Sequence, residues 1–385
     1  MNNFSKWLSA DVQEFIAAQY EQDLNSLRLK KSPFDQVSMQ ELTEQIQGRR
    51  VAERKFPFLL VPGIVYPKQL SLEQSSSQST AMYKAQREGG EKMLDLTAGM
   101  GIDAYFLSKK FSKALLVEKN KELLEITKHN FSVLNQKVQW ENSDLHQVLK
   151  NIKEPYDLIY LDPARRDQNQ KKVFLLEDLS PNILEIQDRL LEKSAKVLIK
   201  LSPMIDLSYL LLQLKNVDFL EVVALKGEVK EVLVHMSRDL KEKEAKIRVV
   251  NLETTDPDFE FYPSEETKAR VEYSEPLNYL YLPSNGLLKS GAFHLLAVRF
   301  GLKKLAPNTH LYTKEEFVEG FPGKVLKVEP MKASQLRKGE QFNIVSKNHP
   351  LKPEAIKKKY HLKDGGEEYL IFTQSIKGKL VLKSI

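Results

Sequence analysis

Cysteine is absent from the 385 residues, which excludes disulfides, thiolate-held metals, iron–sulfur clusters and any reaction that runs through a cysteine nucleophile. Histidine is also sparse, and His294, His310 and His349 lack the spacing of metal ligands, so ordinary packing is expected for them and no metal site is expected. No uninterrupted apolar run approaches membrane-spanning length, and Met1–Ala10 lacks a basic stretch leading into an apolar one. These absences lead to the expectation of a cytoplasmic protein with no membrane partner. No internal repeat or low-complexity tract stands out either.

What is present suits a soluble globular chain, with 42% hydrophobic and 29% charged residues over a length that accommodates two or three domains. The net charge of +6 is uneven: Gly301–Ile385 holds 17 Lys plus Arg against 9 Asp plus Glu, so the residues before it are slightly acidic. A basic carboxyl-terminal surface suits contact with a phosphate backbone, although a solvated lysine face reads the same way.

The most informative run is Asp95-Leu-Thr97-Ala-Gly99-Met-Gly101-Ile-Asp103. The apolar approach Lys92–Leu94 predicts a buried strand, and Ile102, Phe106 and Leu107 are spaced for a helix facing a sheet. Gly99 and Gly101 allow a sharp turn and a close approach of backbone to ligand. Gly99 to Ala104 also satisfies Gly-x-Gly-x-x-Ala, so a dinucleotide has to be weighed, but a negative Asp95 repels a pyrophosphate and suits a ligand bearing an ammonium. A second strand, Ala114–Val117, ends in Glu118, whose two oxygens can accept both hydroxyls of a ribose. A helix over Lys121–Leu134 and a strand near Val138–Glu141 lead to Asp144, a plausible acceptor for an adenine amino group and equally a helix cap. The strand Tyr156–Leu161 then opens into Asp162-Pro163-Ala164-Arg165-Arg166.

From Glu91 to Arg166 the chain resembles the class I S-adenosylmethionine-dependent methyltransferases. Asp95, Thr97, Gly99 and Gly101 match the glycine-rich first motif, Glu118 the ribose acid, Asp144 the adenine contact, and Asp162-Pro163 the start of the catalytic motif. Glu73–Ser77, Thr80, Tyr83-Lys84 and Asp162–Asp167 further resemble bacterial members with a THUMP-like carboxyl-terminal domain, and the similarity continues through Gly291–Phe293, His310–Tyr312 and Asn348–Tyr369. The resemblance implies S-adenosylmethionine as cofactor and tRNA or rRNA as substrate. It also implies that Asp162 and the Pro163 carbonyl align a target amine, since alignment supplies much of the rate of an in-line displacement. Ala164 and Arg165 replace the proline and aromatic ring of the amino-methylating pattern, so stacking of a base on this loop is not expected; Arg165 and Arg166 can hold phosphates instead, or pair with Asp167. Without cysteine, an acceptor nitrogen or oxygen is expected rather than a pyrimidine C5. The resemblance also lets Ser75, Ser76 and Thr80 touch the methionine carboxylate, against capping of the next helix by Ser77 or Ser79.

Around this core, helical spacing over Ser9–Leu29 and Ser38–Lys55 predicts an amino-terminal helical domain, residues 1–88. Helices over Pro181–Glu192 and Leu207–Lys215 alternate with strands at Lys196–Lys200, Phe219–Leu225 and Glu231–Met236, completing a Rossmann-like, doubly wound α/β sheet over residues 89–255. The last two strands are too close for a crossover and are expected to be antiparallel. Lys200 ends a strand on the ligand edge and is a candidate for substrate contact. Asp239–Asn285 reads as a connecting region around one strand, and a small α+β, ferredoxin-like and THUMP-like module completes residues 256–385. Its densest basic cluster, Lys357-Lys358-Lys359, is the expected RNA contact. Two other readings remain at this point: an RNA-binding or assembly protein without turnover, and a methyltransferase acting on protein or a small molecule.

Overall fold

A computed structural model describes residues 4–165 and 175–385, and these fall into two compact units. The first takes in Met1–Val217 with Leu233–Lys241; the second takes in Asp218–Val232 with Glu242–Ile385.

The first unit opens with helices α1 (Ala10–Ala18), α2 (Leu24–Arg28) and α3 (Met39–Lys55). A single helix expected over Ser9–Leu29 is instead two, because the Asp23 carboxylate accepts the Ser26 amide at 2.8 Å and starts a new helix. Ser38 and Glu41 form a reciprocal capping box at the head of α3. Val12, Ile16, Leu27, Leu42 and Ile46 share one apolar cluster, while a second runs from Ala52 and Phe56 through Tyr66 and Ala81 to Ile102. After α4 (Gln69–Gln74) and α5 (Gln78–Gln86) comes the alternating core. In order it runs β1 (Gly90–Asp95), α6 (Ile102–Ser108), β2 (Phe111–Val117), α7 (Lys121–Val133), β3 (Gln139–Glu141), α8 (Leu145–Asn151), β4 (Tyr156–Leu161), α9 (Ile183–Lys193), β5 (Ser194–Leu201) and α10 (Leu207–Gln213).

Strand order is β5-β4-β1-β2-β3 with every pair parallel, so chain direction across the sheet reverses between β1 and β4. Ligands of doubly wound sheets bind at the carboxyl edge beside such a reversal. The register places Asp95 beside Leu116 and Tyr160, and Leu161 beside Ile199. Asp95, Glu118, Asp162 and Lys200 therefore leave the sheet along one edge.

In the second unit, β6 (Val217–Leu225) and the first part of β7 (Glu228–Ser237) are adjacent in the sheet and joined by Lys226-Gly227, a connection short enough only for antiparallel strands, as expected. Strand β8 (Lys246–Leu252) runs parallel to β6, and β9 (Phe259–Phe261) pairs antiparallel with β8. Helix α11 (Pro263–Lys268), strand β10 (Tyr279–Pro283) and helices α12 (Asn285–Ser290) and α13 (Phe293–Phe300) follow. The connecting region expected over Asp239–Asn285 is thus largely structured: Leu280 and Tyr281 of β10 are fully buried, and Pro276 ahead of the strand with Pro283 at its last position give it the sequence of a linker. The remaining elements are β11 (Lys303–Ala306), β12 (Thr309–Lys314), β13 (Gly323–Met331), β14 (Gln341–Ser346), α14 (Pro353–Tyr360), β15 (Lys363–Ser375) and β16 (Gly378–Ser384). They form a seven-stranded sheet ordered β11-β12-β10-β13-β16-β15-β14. Its β15–β16 pair is an antiparallel hairpin, while β14 and β15 are parallel and linked through α14.

Candidate active site

The turn after β1 is fixed from three sides. Asp95 Oδ1 accepts the Thr97 amide at 2.8 Å, Glu118 Oε2 accepts the Gly99 amide at 2.9 Å, and the Thr127 hydroxyl donates to the Gly99 carbonyl at 2.8 Å. Gly99 and Gly101 both adopt left-handed backbone, with φ of +54° and +73°. Their surroundings differ. A Cβ on Gly101 would lie 2.6 Å from the Phe131 ring, whereas one on Gly99 would meet only the Thr97 carbonyl at 3.9 Å. Gly101 is thus required by packing, and Gly99 leaves a smooth opening for a ligand. Glu118 Oε1 also accepts the Asn120 amide at 2.7 Å, so each of its oxygens holds one backbone donor and keeps one lone pair for a ligand. Asp95 is almost fully buried, and burial pushes its carboxyl well above the ordinary carboxylate range, only partly opposed by the Thr97 N–H. The repulsion of a pyrophosphate expected from Asp95 weakens accordingly.

A second group of residues lies behind Asp162. The Asp162 amide donates to Thr97 Oγ1 at 2.6 Å, and its Oδ2 forms a close ion pair with Lys200 Nζ. Lys200 Nζ is also 3.7 Å from Asp103 Oδ2 and 3.2 Å from Ser76 Oγ. Asp103, on the first turn of α6, accepts the Ser76 hydroxyl at 2.8 Å and the Tyr160 hydroxyl at 2.7 Å, and Lys84 Nζ sits 3.1 Å from its other oxygen. Burial favours the neutral acid at Asp103, but Lys84 and Lys200, helped by the two hydroxyls, hold it down to about 2. At Asp162 the balance differs: burial raises the carboxyl above its ordinary range, with Lys200 pulling the other way and Asp103 adding to the rise.

Asp95, Thr97, Gly99, Gly101, Glu118, Asp162, Pro163 and Lys200 are gathered along the carboxyl edge of β1, β2, β4 and β5. Asp144 follows β3, is exposed, and caps α8 by accepting the His146 amide at 2.8 Å. Arg165 pairs through its backbone with Leu179, and Arg166 and Asp167 lie outside the described residues. Ser77 caps α5, as the capping alternative expected, while Ser76 turns inward to Asp103. Lys357, Lys358 and Lys359 form the last turn of α14 in the second unit; Lys357 pairs with Glu354 at 2.7 Å and Asp364 at 3.3 Å, and the other two are exposed. His310 stacks on Phe293 with ring centres 3.7 Å apart, consistent with packing.

Sequence reasoning gave no role to Asp103 or Tyr160, and none to the charge of Lys84. A signal did exist. Asp103 falls between the core residues Ile102 and Ala104, and Lys84 is buried beside Ala81 and Ala85 on α5, so each puts a charge where the helix pattern calls for an apolar side chain.

Three family profiles match the chain: conserved hypothetical protein 95 over residues 80–206, a ferredoxin-like domain over 279–322 and a THUMP domain-like segment over 324–382. The crystal structure of a protein from Porphyromonas gingivalis W83, assigned as a methyltransferase, is similar at 34% identity and a TM-score of 0.86, covering 98% of this chain and 97% of that one. A class I S-adenosylmethionine-dependent methyltransferase structure from Listeria monocytogenes matches more distantly, at 14% identity and a TM-score of 0.40 over 66% of this chain and 92% of that one. Comparison with curated proteins gives no match.

Proposed function

Since the chain belongs to the class I S-adenosylmethionine-dependent methyltransferases, with ferredoxin-like and THUMP-like segments after the catalytic fold, we propose that it methylates RNA at a nitrogen or oxygen. The observation that carries this reading is the placement of Asp162, whose amide is tied to the glycine turn through Thr97. That tie joins the proposed acceptor carboxylate to the loop that carries Gly99.

The donor set suits the cofactor. Glu118 retains acceptor capacity on both oxygens for a ribose, and the free space over Gly99 allows a close approach. On this reading Asp95, Thr97, Gly99, Gly101 and Glu118 hold S-adenosylmethionine, and Asp144 lies toward the adenine. Bound there, the cofactor supplies an electrophilic methyl group on a sulfonium. Asp162 and the Pro163 carbonyl accept N–H bonds from a target amine and aim its lone pair at the methyl carbon. Asp162 would first hold the proton that the nitrogen sheds on accepting the methyl group, whose bonding pair would stay with the cofactor's sulfur.

In this scheme residues 1–88 are a helical lead-in, 89–255 the catalytic core, and 256–385 the structured module that presents RNA. The +8 charge after Gly301 supports RNA over a protein or a small molecule, because counterion release rewards lysine on phosphate. Arg165, Arg166, Lys358 and Lys359 are the proposed phosphate contacts. The test is transfer of labelled methyl to total RNA from cells lacking the gene, followed by mass spectrometry of the nucleosides. An N- or O-methylated nucleoside is the expected product. Label found on protein alone, or at pyrimidine C5, contradicts the proposal.

A further inference from the structure

Four charged side chains and two hydroxyls meet behind the catalytic edge, drawn from α4–α5, α6, β4 and β5. Lys84, Asp103 and Lys200 are each over nine-tenths buried, where an unpaired charge is strongly disfavoured. Such an arrangement survives only if every charge is matched, and the matching here runs as a chain. Lys84 and Ser76 fix Asp103, Asp103 and Ser76 fix Lys200, and Lys200 ends on one oxygen of Asp162. The other oxygen, Oδ1, has no hydrogen-bond or ion-pair partner among the described residues.

We propose that Lys200 is a positioning residue for methyl transfer: anchored by Asp103 and Ser76, it grips Asp162 Oδ2, keeps the carboxylate ionised, and turns Oδ1 toward the acceptor amine. This rests on the reading of Asp162 as the group that receives the acceptor. It changes the role of Lys200 from one that touches RNA to one that acts through another residue. An ionised carboxylate accepts on both oxygens and can take the proton the amine sheds, whereas a protonated one keeps a carbonyl acceptor but has no room for that proton, so loss of the charge on Lys200 should impair Asp162 without removing it. The groups facing Asp162 are Lys200 on β5, Asp103 on α6, Lys84 on α5 and Asp95 on β1. Asp103 raises the Asp162 carboxyl and both lysines lower it, Asp162 in turn raises Asp95, and Lys200 is the neighbour in direct contact.

The experiment is a carbon-13 NMR titration of the aspartate carboxyl groups in the full chain, with the Asp162 signal identified by its loss in Asp162→Asn. Lys200→Met should move the Asp162 midpoint upward by about one pH unit or more, the usual effect of an adjacent opposite charge. Lys200→Arg should keep it near the wild-type position, and Lys200→Gln, which retains polarity, should move it in the same direction as Lys200→Met and serves if that variant does not fold. In transfer assays on RNA from cells lacking the gene, the acid limb of the rate profile should shift with the midpoint and turnover should recover at high pH, with cofactor affinity unchanged. An unmoved midpoint overturns the proposal. So does a raised KM for RNA with an unmoved acid limb, which would make Lys200 a phosphate contact. Failure of the underlying reading is seen separately, as normal turnover in Asp162→Ala, which removes both side-chain oxygens.

Discussion

The side-chain hydroxyl of Thr97 accepts the backbone N–H of Asp162 at 2.6 Å, joining the loop after β1 to the loop after β4. Two loops 65 residues apart in sequence are thereby held at a fixed separation. Thr97→Val keeps the shape and removes the acceptor, which leaves the Asp162 amide without this partner and frees the loop to drift. Turnover should fall by about 100-fold, the scale of a misplacement near 1 Å at a reacting centre. Thr97→Ser should restore most of it. Steady-state assay of the two variants against wild type checks this, and equal activity in all three would remove Thr97 from the positioning of Asp162.

Asp95 gives a stability effect whose sign depends on pH. Its carboxyl lies well above the ordinary range in the folded chain, so the folded state holds that proton more tightly than the unfolded state does. The favourable contribution is complete below the unfolded value and is lost as pH rises through the folded one. Asp95→Asn, which retains the oxygen that receives the Thr97 amide, should therefore raise Tm at pH 7 and gain little near about pH 3. Calorimetry at both pH values decides it; a fall in Tm at pH 7 contradicts the burial argument.

The two glycines of the turn should separate folding from binding. Gly101→Ala combines left-handed backbone with a collision against Phe131 and Thr127, so a loss of stability of about 2–4 kcal/mol is expected. Gly99→Ala carries only the backbone penalty of about 1–2 kcal/mol, yet its methyl group enters the cofactor opening and should sharply weaken S-adenosylmethionine binding. Urea unfolding and calorimetric titration of both variants test the contrast. Similar stability losses in the two would show that the turn repacks around Gly101.

Within the basic cluster of α14, the lysines should not be equivalent. Lys357 is already engaged by Glu354 and Asp364, while Lys358 and Lys359 are exposed. Neutralising Lys358 and Lys359 should flatten the salt dependence of RNA binding by about 0.7 in log–log slope for each lost phosphate contact, and Lys357→Ala should leave the slope unchanged. Fluorescence anisotropy across a salt series measures both. A slope change with Lys357→Ala alone would reverse the assignment.

Asp95, Gly99, Gly101 and Glu118 were legible in sequence because their geometry is local: a strand end, a turn and the next strand end recur within 24 residues, and the parallel register does the rest. Asp103 was not, since its partners Ser76, Lys84, Tyr160 and Lys200 come from distant positions and only the assembled sheet brings them to one oxygen pair. Strand β10 was hidden for a different reason. Prolines at 276 and 283 carry turn signals that burial of Leu280 and Tyr281 overrides. The break between α1 and α2 escaped an apolar pattern that continues across it, because a single side-chain cap at Asp23 outweighs periodicity over so short a stretch.

Strand β13 divides its hydrogen bonds between two neighbours: Gly323–Lys327 pairs with β10, and Val328–Met331 pairs with β16. The ferredoxin-like and THUMP-like profiles meet at residues 322–324, so their boundary runs down the inside of one sheet. Inherited modules and folding bodies therefore differ here. A fragment ending at residue 322 would bare the row of amides and carbonyls on β10, and one starting at 324 would bare the matching row on β13, leaving both prone to pair with other copies. The two segments are an inseparable pair, to be expressed, exchanged between relatives or lost together.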